Sequence, residues 1–202
     1  RGIVVPEWRQ RVAPMAYAGS LHDMLCCMGV DCPCSCEGEV GLDAVPIWRV
    51  QQGAVLLHEG DGADTLYVVR SGSFKRVRAL EDGYEQVLAL VLPGGLLGVE
   101  ALHGYVHSSS AAALEDSTLY ALPAPALLSI QQHCPSLVEG LWRGVSRQLA
   151  QAAETAEMMA PVASDARLAR FVLWLSRRMA EAGQSPRRLL LPHRVEHTCR
   201  RK

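Results

Sequence analysis

The chain has 202 residues, 49% of them hydrophobic and 20% charged, with a formal net charge of −1. That is ordinary globular composition, enough for one medium domain or two small ones around a buried core. No uninterrupted apolar run reaches the ~20 residues that span a bilayer. No basic, apolar, small-residue leader follows Arg1, so the expected location is the cytoplasm, with no membrane partner.

The first forty residues show no sustained period of 2 or 3.6, yet they hold five of the seven cysteines: Cys26, Cys27, Cys32, Cys34 and Cys36. In an intracellular chain such crowding points to metal or redox chemistry before disulfides. Cys134, just before Pro135, reads as a packing residue.

From Val50 to Pro123 the character changes. Short aliphatic and β-branched runs (Val55–His58, Leu66–Val69, Ser73–Arg78, Gln86–Val91, Ser117–Leu122) alternate with glycine-bearing turns at strand-plus-turn spacing. That rhythm predicts an antiparallel barrel or sandwich. Leu66 and Val68 against Tyr67 and Val69, and Val87 and Ala89 against Leu88 and Leu90, are apolar on both sides, which predicts strands covered on two faces.

At Pro135 the period becomes helical. Val138, Trp142, Val145, Leu149, Ala152, Ala156 and Met159 fall at alternating steps of four and three, the seam of a coiled coil with a partner helix. Leu137 and Leu141 extend the apolar face toward the strands, and Arg143, Arg147, Gln148, Gln151 and Glu154 take the wet side. From Asp165 to Lys202 the chain turns basic: ten Lys/Arg against three acids give +7 there and leave −8 for the rest. A basic end on an acidic body is the electrostatic footprint of a nucleic-acid-binding tail.

The segments GAVLLHEGDGADTLYVVRSGSFKRVR (residues 53–78) and DGYEQVLALVLPGGLLGVEAL (residues 82–102) resemble the β-roll of the CRP/FNR superfamily of bacterial transcription regulators, closest in kind to its FNR-like branch. The resemblance runs from about Val50 to Ser185. It implies an α+β chain with a cyclic-nucleotide-binding-like antiparallel β-roll (double-stranded β-helix), a long dimerisation helix and a partial winged helix-turn-helix. The corresponding divisions are an irregular Cys-rich segment at 1–40, the roll at 41–134, the dimerisation helix at 135–162 and the incomplete DNA-binding part at 163–202.

Oxygen-sensing members of the family hold a [4Fe–4S] cluster with N-terminal cysteines plus one from the roll, four thiolates in all. Cys27, Cys32, Cys34 and Cys36 are the candidate ligands here, but their spacing departs from the family's, and Tyr120 stands where the roll's thiolate belongs. Reduced or adventitiously oxidised thiols are the expected state. Members that bind cyclic AMP hold the ribose with a glutamate after the PGGLLG-like turn and pair the phosphate with an arginine, a directional charge-assisted bond. Glu100 arrives one residue late, and His107-Ser108-Ser109-Ser110-Ala111 occupies the arginine's stretch. Glu100, His107, Ser108 and Ser109 therefore mark a candidate effector pocket in which no cyclic nucleotide is expected, and Glu100 reads as a surface acid.

Asp165 to Met179 resembles the first helix of the family's DNA-binding domain, capped by Ser164, with Leu168, Phe171, Val172, Leu175 and Met179 as its buried face. After Leu191 the resemblance stops. No recognition helix is expected in Pro192–Lys202, as a truncated or frame-shifted gene or a fragment would produce. Arg187 and Arg188 are candidate phosphate contacts, which hold register without reading sequence. The expected function is that of a DNA-binding transcription regulator acting as a homodimer, with RNA polymerase as the partner the family implies. The alternative is a stand-alone effector-binding and dimerisation module without specific DNA binding. No P-loop, Gly-x-Ser-x-Gly elbow or His-Glu-x-x-His motif suggests an enzyme.

Overall fold

The computed structural model describes residues 12–30, 44–80, 85–127 and 134–158, together with 169, 170, 172–174, 176, 177 and 180. The chain divides into two compact units, Arg1–Thr155 and Ala156–Lys202.

Residues 12–30 are not irregular. Strand β1 (Val12–Gly19) pairs antiparallel with β2 (Val45–Val50), with a register irregularity between Pro14 and Ala18. β1 is an edge strand of its sheet, where a proline without an N–H is tolerated. Ser20 then caps helix α1 (Leu21–Cys27), its hydroxyl accepting the Asp23 N–H at 3.0 Å. Leu21, Met24, Leu25 and Met28 follow at one-face spacing and are all buried.

Seven more strands complete two sheets: β3 (Val55–Leu57), β4 (Thr65–Ser71), β5 (Phe74–Ala79), β6 (Glu85–Val91), β7 (Leu96–Leu97), β8 (Ser110–Ala113) and β9 (Ser117–Pro123). One sheet runs β1-β2-β9-β4-β7 and the other β3-β8-β5-β6, all pairings antiparallel. The two-sided pattern of β4 does what its sequence predicts. Leu66 and Val68 enter an outer core with α1, while Tyr67 and Val69 enter the core between the sheets with Phe74, Leu97, Ala111 and Leu119. β6 departs from the same expectation. It is an edge strand, and Val87 remains 46% exposed because no further strand or helix of the described residues covers that edge.

Helix α2 (Pro135–Met158) begins at the proline, whose missing N–H is harmless in a first turn. Leu137, Gly140, Leu141 and Gly144 form its buried stripe. A Cβ at Gly144 would lie 2.5 Å from Leu96 Cδ1, and one at Gly140 would lie 3.0 Å from Met28 Cε, so the two glycines let the helix backbone settle against β7 and α1. Cys134 is fully buried in the outer core. Arg143, Arg147 and Glu154 are exposed and Gln148 and Gln151 half-buried, in keeping with a wet side, yet three of them also reach across to other elements. Arg143 donates to the Gly29 carbonyl at 3.1 Å, Arg147 to the Met28 carbonyl at 2.6 Å, and the Gln148 amide to the Leu96 carbonyl. The first two carbonyls lie at the end of α1, where helical C=O groups lack intrahelical partners and cations are favoured.

In the second unit the described residues between 169 and 180 are helical, in agreement with the expected helix. Val172, expected on its buried face, is exposed; Leu168, Phe171, Leu175, Met179 and the capping Ser164 lie outside the described residues. No helix among the described residues is long and apolar enough to cross a membrane.

Gly144→Val tests the docking of α2. The added branches cannot fit beside the fully buried Leu96, and the overpacking outweighs the improved helix propensity, so urea unfolding should show a loss of about 1–3 kcal/mol.

Candidate effector site in the roll

The site begins with a backbone constraint. Gly98 lies at φ 71°, and a Cβ there would fall 2.6 Å from the Thr65 carbonyl oxygen. Glycine is therefore required both for the left-handed conformation and for the close approach. It turns the chain from β7 into the single 3-10 turn Val99–Leu102, which carries Glu100. Opposite, His107 is pinned to the preceding loop by two backbone bonds, Gly60 N–H to His107 O at 2.9 Å and His107 N–H to Asp61 O at 2.8 Å. That fixes Ser108 and Ser109 at the start of β8.

These four residues, taken from the sequence as one pocket, do come together. The Ser108 hydroxyl donates to Glu100 Oε1 at 2.6 Å, and the Ser108 N–H points at the same oxygen at 3.3 Å. His107 is buried, with its Nδ1 lacking a hydrogen bond at 3.7 Å from Glu100 Oε2. Glu100 is not a surface acid. Its side chain is only 17% exposed, because the 3-10 turn aims it back into the mouth of the roll.

Two basic residues of β5 complete the cluster, and sequence reasoning missed both. Arg76 forks onto Ser109 Oγ, with Nε at 3.0 Å and Nη2 at 2.9 Å, reaches Ser108 Oγ at 3.4 Å, and places Nη2 at 3.9 Å from Glu100 Oε1. Arg78 donates to the Ser108 carbonyl at 2.9 Å and pairs with Glu59 at 3.5 Å. The pairing of β5 with β8, Arg76 opposite Ala111 and Val77 opposite Ser110, delivers these side chains. A signal was present: Phe74, Arg76 and Arg78 alternate at period 2, so a strand that buries Phe74 aims Arg76 the same way.

The electrostatics follow from this geometry. Burial alone would raise the Glu100 carboxyl, but the Ser108 hydroxyl and N–H and the Arg76 guanidinium outweigh it and hold the group below its ordinary value. Burial pushes Arg76 down, against the opposing pull of Glu100.

The thiol region lies elsewhere on the roll. Burial raises the Cys27 thiol, although Arg70 and a hydrogen bond from Tyr120 oppose it. Tyr120 is itself buried, and its ring occupies the space beside Gly19, where a Cβ would lie 2.4 Å from Tyr120 Cε1. A [4Fe–4S] cluster takes four thiolates. Here the roll's position holds the Tyr120 phenol in place of a thiolate, and that residue does not fit such a cluster. Among the described residues no group of three or more His, Cys, Asp or Glu is arranged to hold a metal ion. Cys32, Cys34 and Cys36 lie outside the described residues, as do Arg187 and Arg188. Cys26 is exposed, with its sulfur 3.5 Å from His22 Nε2.

Two outcomes are expected. A depressed carboxylate contributes stability that is present above its ordinary value of 4.5 and lost as pH falls through the lower folded value. Glu100→Gln should therefore flatten the acid limb of the stability curve, read by urea unfolding across the acid range. In timed alkylation at mildly alkaline pH, mass spectrometry should find Cys26 modified well before Cys27, since reactivity follows thiolate fraction and exposure.

Residues 47–134 match the cyclic nucleotide-binding domain family. Over 142 residues the chain is 33% identical to the anaerobic regulatory protein of Pasteurella multocida (strain Pm70), covering 70% of this chain and 52% of that protein. It is also 33% identical to the fumarate and nitrate reduction regulatory protein of Escherichia coli (strain K12), covering 70% of this chain and 57% of the relative. The chain thus spans little more than half the length of these curated relatives. Among solved structures, a CRP/FNR-family transcriptional regulator of Thermus thermophilus superposes with a TM-score of 0.55 and 32% identity, over 64% of each chain. A two-sheet roll matching the cyclic nucleotide-binding domain family over residues 47–134, a glycine-led turn that carries a half-buried acid, and relatives named as regulators make this chain similar to the CRP/FNR regulators.

Proposed function

We propose that the protein is a DNA-binding transcription regulator that works as a homodimer, with the roll as its sensor and α2 as its seam. The regulator role is supported by its relatives, which are named as regulatory proteins. The pairing rests on one observation. Trp142 is 70% exposed and Leu149 74% exposed, seven residues apart on a helix whose opposite face is already packed on the roll. Val138 and Val145, on the same seam, are half-buried, and Ala152 is exposed. Of the remaining seam positions, Met159 lies outside the described residues and the side chain of Ala156 is not described. Large apolar side chains left on one stripe fit a second copy of that stripe, since each gains roughly 1.5–3 kcal/mol on full burial.

In this reading a signal at the roll shifts the relative placement of two DNA-contacting segments, as linkage demands of any effector that binds two states unequally. Arg187 and Arg188 contribute phosphate contacts, and RNA polymerase is the downstream partner.

Sedimentation equilibrium at micromolar concentration should find a dimer. Leu149→Asp, present twice at a two-fold seam, should weaken it by at least ~100-fold; a native monomer would sink the proposal. Gel-shift titration over a salt series separates the regulator from a module without DNA reading. Sequence-selective retention that survives added salt supports the first, and binding confined to low salt supports the second.

A further inference from the structure

We infer that Glu100 is an anion supplied in cis to an anion-binding cradle, so that this roll is held in a filled arrangement by its own carboxylate and rejects anionic effectors. Four groups converge on that carboxylate: the Ser108 hydroxyl at 2.6 Å, the Ser108 N–H at 3.3 Å, His107 Nδ1 at 3.7 Å and the Arg76 guanidinium at 3.9 Å. A backbone N–H, a hydroxyl and a guanidinium around one oxygen pair make the kind of site that proteins offer to phosphate. The second nearby cation is committed as well, since Arg78 pairs with Glu59 at 3.5 Å and holds the Ser108 carbonyl at 2.9 Å. Each cation of the cluster thus faces a carboxylate of the same chain. An incoming anion would meet like charge with no free counter-charge among the described residues of the cluster, the least favourable condition for burying it.

The inference deepens the reading of the roll as a sensor and rests on that reading only for its biological meaning. It says which residue sets the effector class: with Glu100 in place, the native site is closed to phosphate-bearing ligands. Removing the carboxylate leaves Arg76 and the Ser108 donors without an anion, and an exogenous one can take its place.

The test is chemical rescue in the full chain. Melting temperatures of the native protein, Glu100→Ala, and the double variant Glu100→Ala with Arg76→Gln are compared in millimolar inorganic phosphate and in chloride of equal ionic strength. The native protein should show no phosphate-specific rise. Glu100→Ala should melt lower in chloride and regain at least half of that loss in phosphate, saturably. The double variant should regain none, because its cradle lacks the guanidinium. Three outcomes overturn the inference: a native protein stabilised by phosphate as strongly as Glu100→Ala, a destabilised Glu100→Ala that phosphate does not rescue, or equal rescue of the double variant. None of these readouts depends on dimerisation or DNA. A failed cradle and a failed regulator assignment are therefore told apart, the latter by sedimentation and gel shift alone.

Discussion

The structure depends on a single strand that is apolar on both faces. β4 sends Leu66 and Val68 to one side and Tyr67 and Val69 to the other, and all four are buried. A strand covered on two faces holds two cores together, because a one-residue slip would exchange their side chains and ruin both. The inner core closes the roll. The outer core receives α1 and the first turns of α2, with Leu137, Leu141 and Cys134 joining Met24, Leu25 and Met28. The roll and the helix that leaves it are thus parts of one packed body.

Upon that frame the mouth of the roll carries two ion pairs with unequal surroundings. Glu59 and Arg78 face each other in a partly solvated position, where a pair contributes little. Glu100 and Arg76 are more enclosed, and neither is left to a single partner. The serines of the β8 approach bridge them, so loss of one member leaves several polar groups unsatisfied at once. The seam residues of α2 differ in kind, being apolar and uncharged, with Trp142 and Leu149 exposed and Val138 and Val145 half-buried.

Much of this was legible in the sequence, for identifiable reasons. The strands of the roll announced themselves because aliphatic runs were cut by glycines at regular intervals, and α2 because a proline opened a long, strictly spaced apolar stripe. α1 stayed hidden. Seven residues are too few for a helical period to stand out, and the cysteines around it drew the eye to metal chemistry rather than to the Ser20 cap and the Leu21–Met24–Leu25–Met28 face. Glu100, His107, Ser108 and Ser109 could be grouped because they lie close together in the chain, and the structure places them near one another. Arg76 was not, because it comes from a strand well upstream and meets them only through the β5–β8 ladder. Arg143 and Arg147 do lie on the exposed side as their spacing suggested, but nothing local to α2 reveals that they also bond to the carbonyl end of another helix.

Those two arginines also bear on how the first unit can move. Met28 and Gly29 lie just past the last turn of the cysteine-bearing helix, and their carbonyls are gripped by guanidinium groups 114 to 119 residues further on. Sliding one helix against the other would leave both carbonyl acceptors without these donors, although Arg143 would keep its Glu139 partner. The cysteine-bearing helix and the base of the exit helix are thus joined by two long-range side-chain-to-backbone bonds in addition to their shared apolar packing.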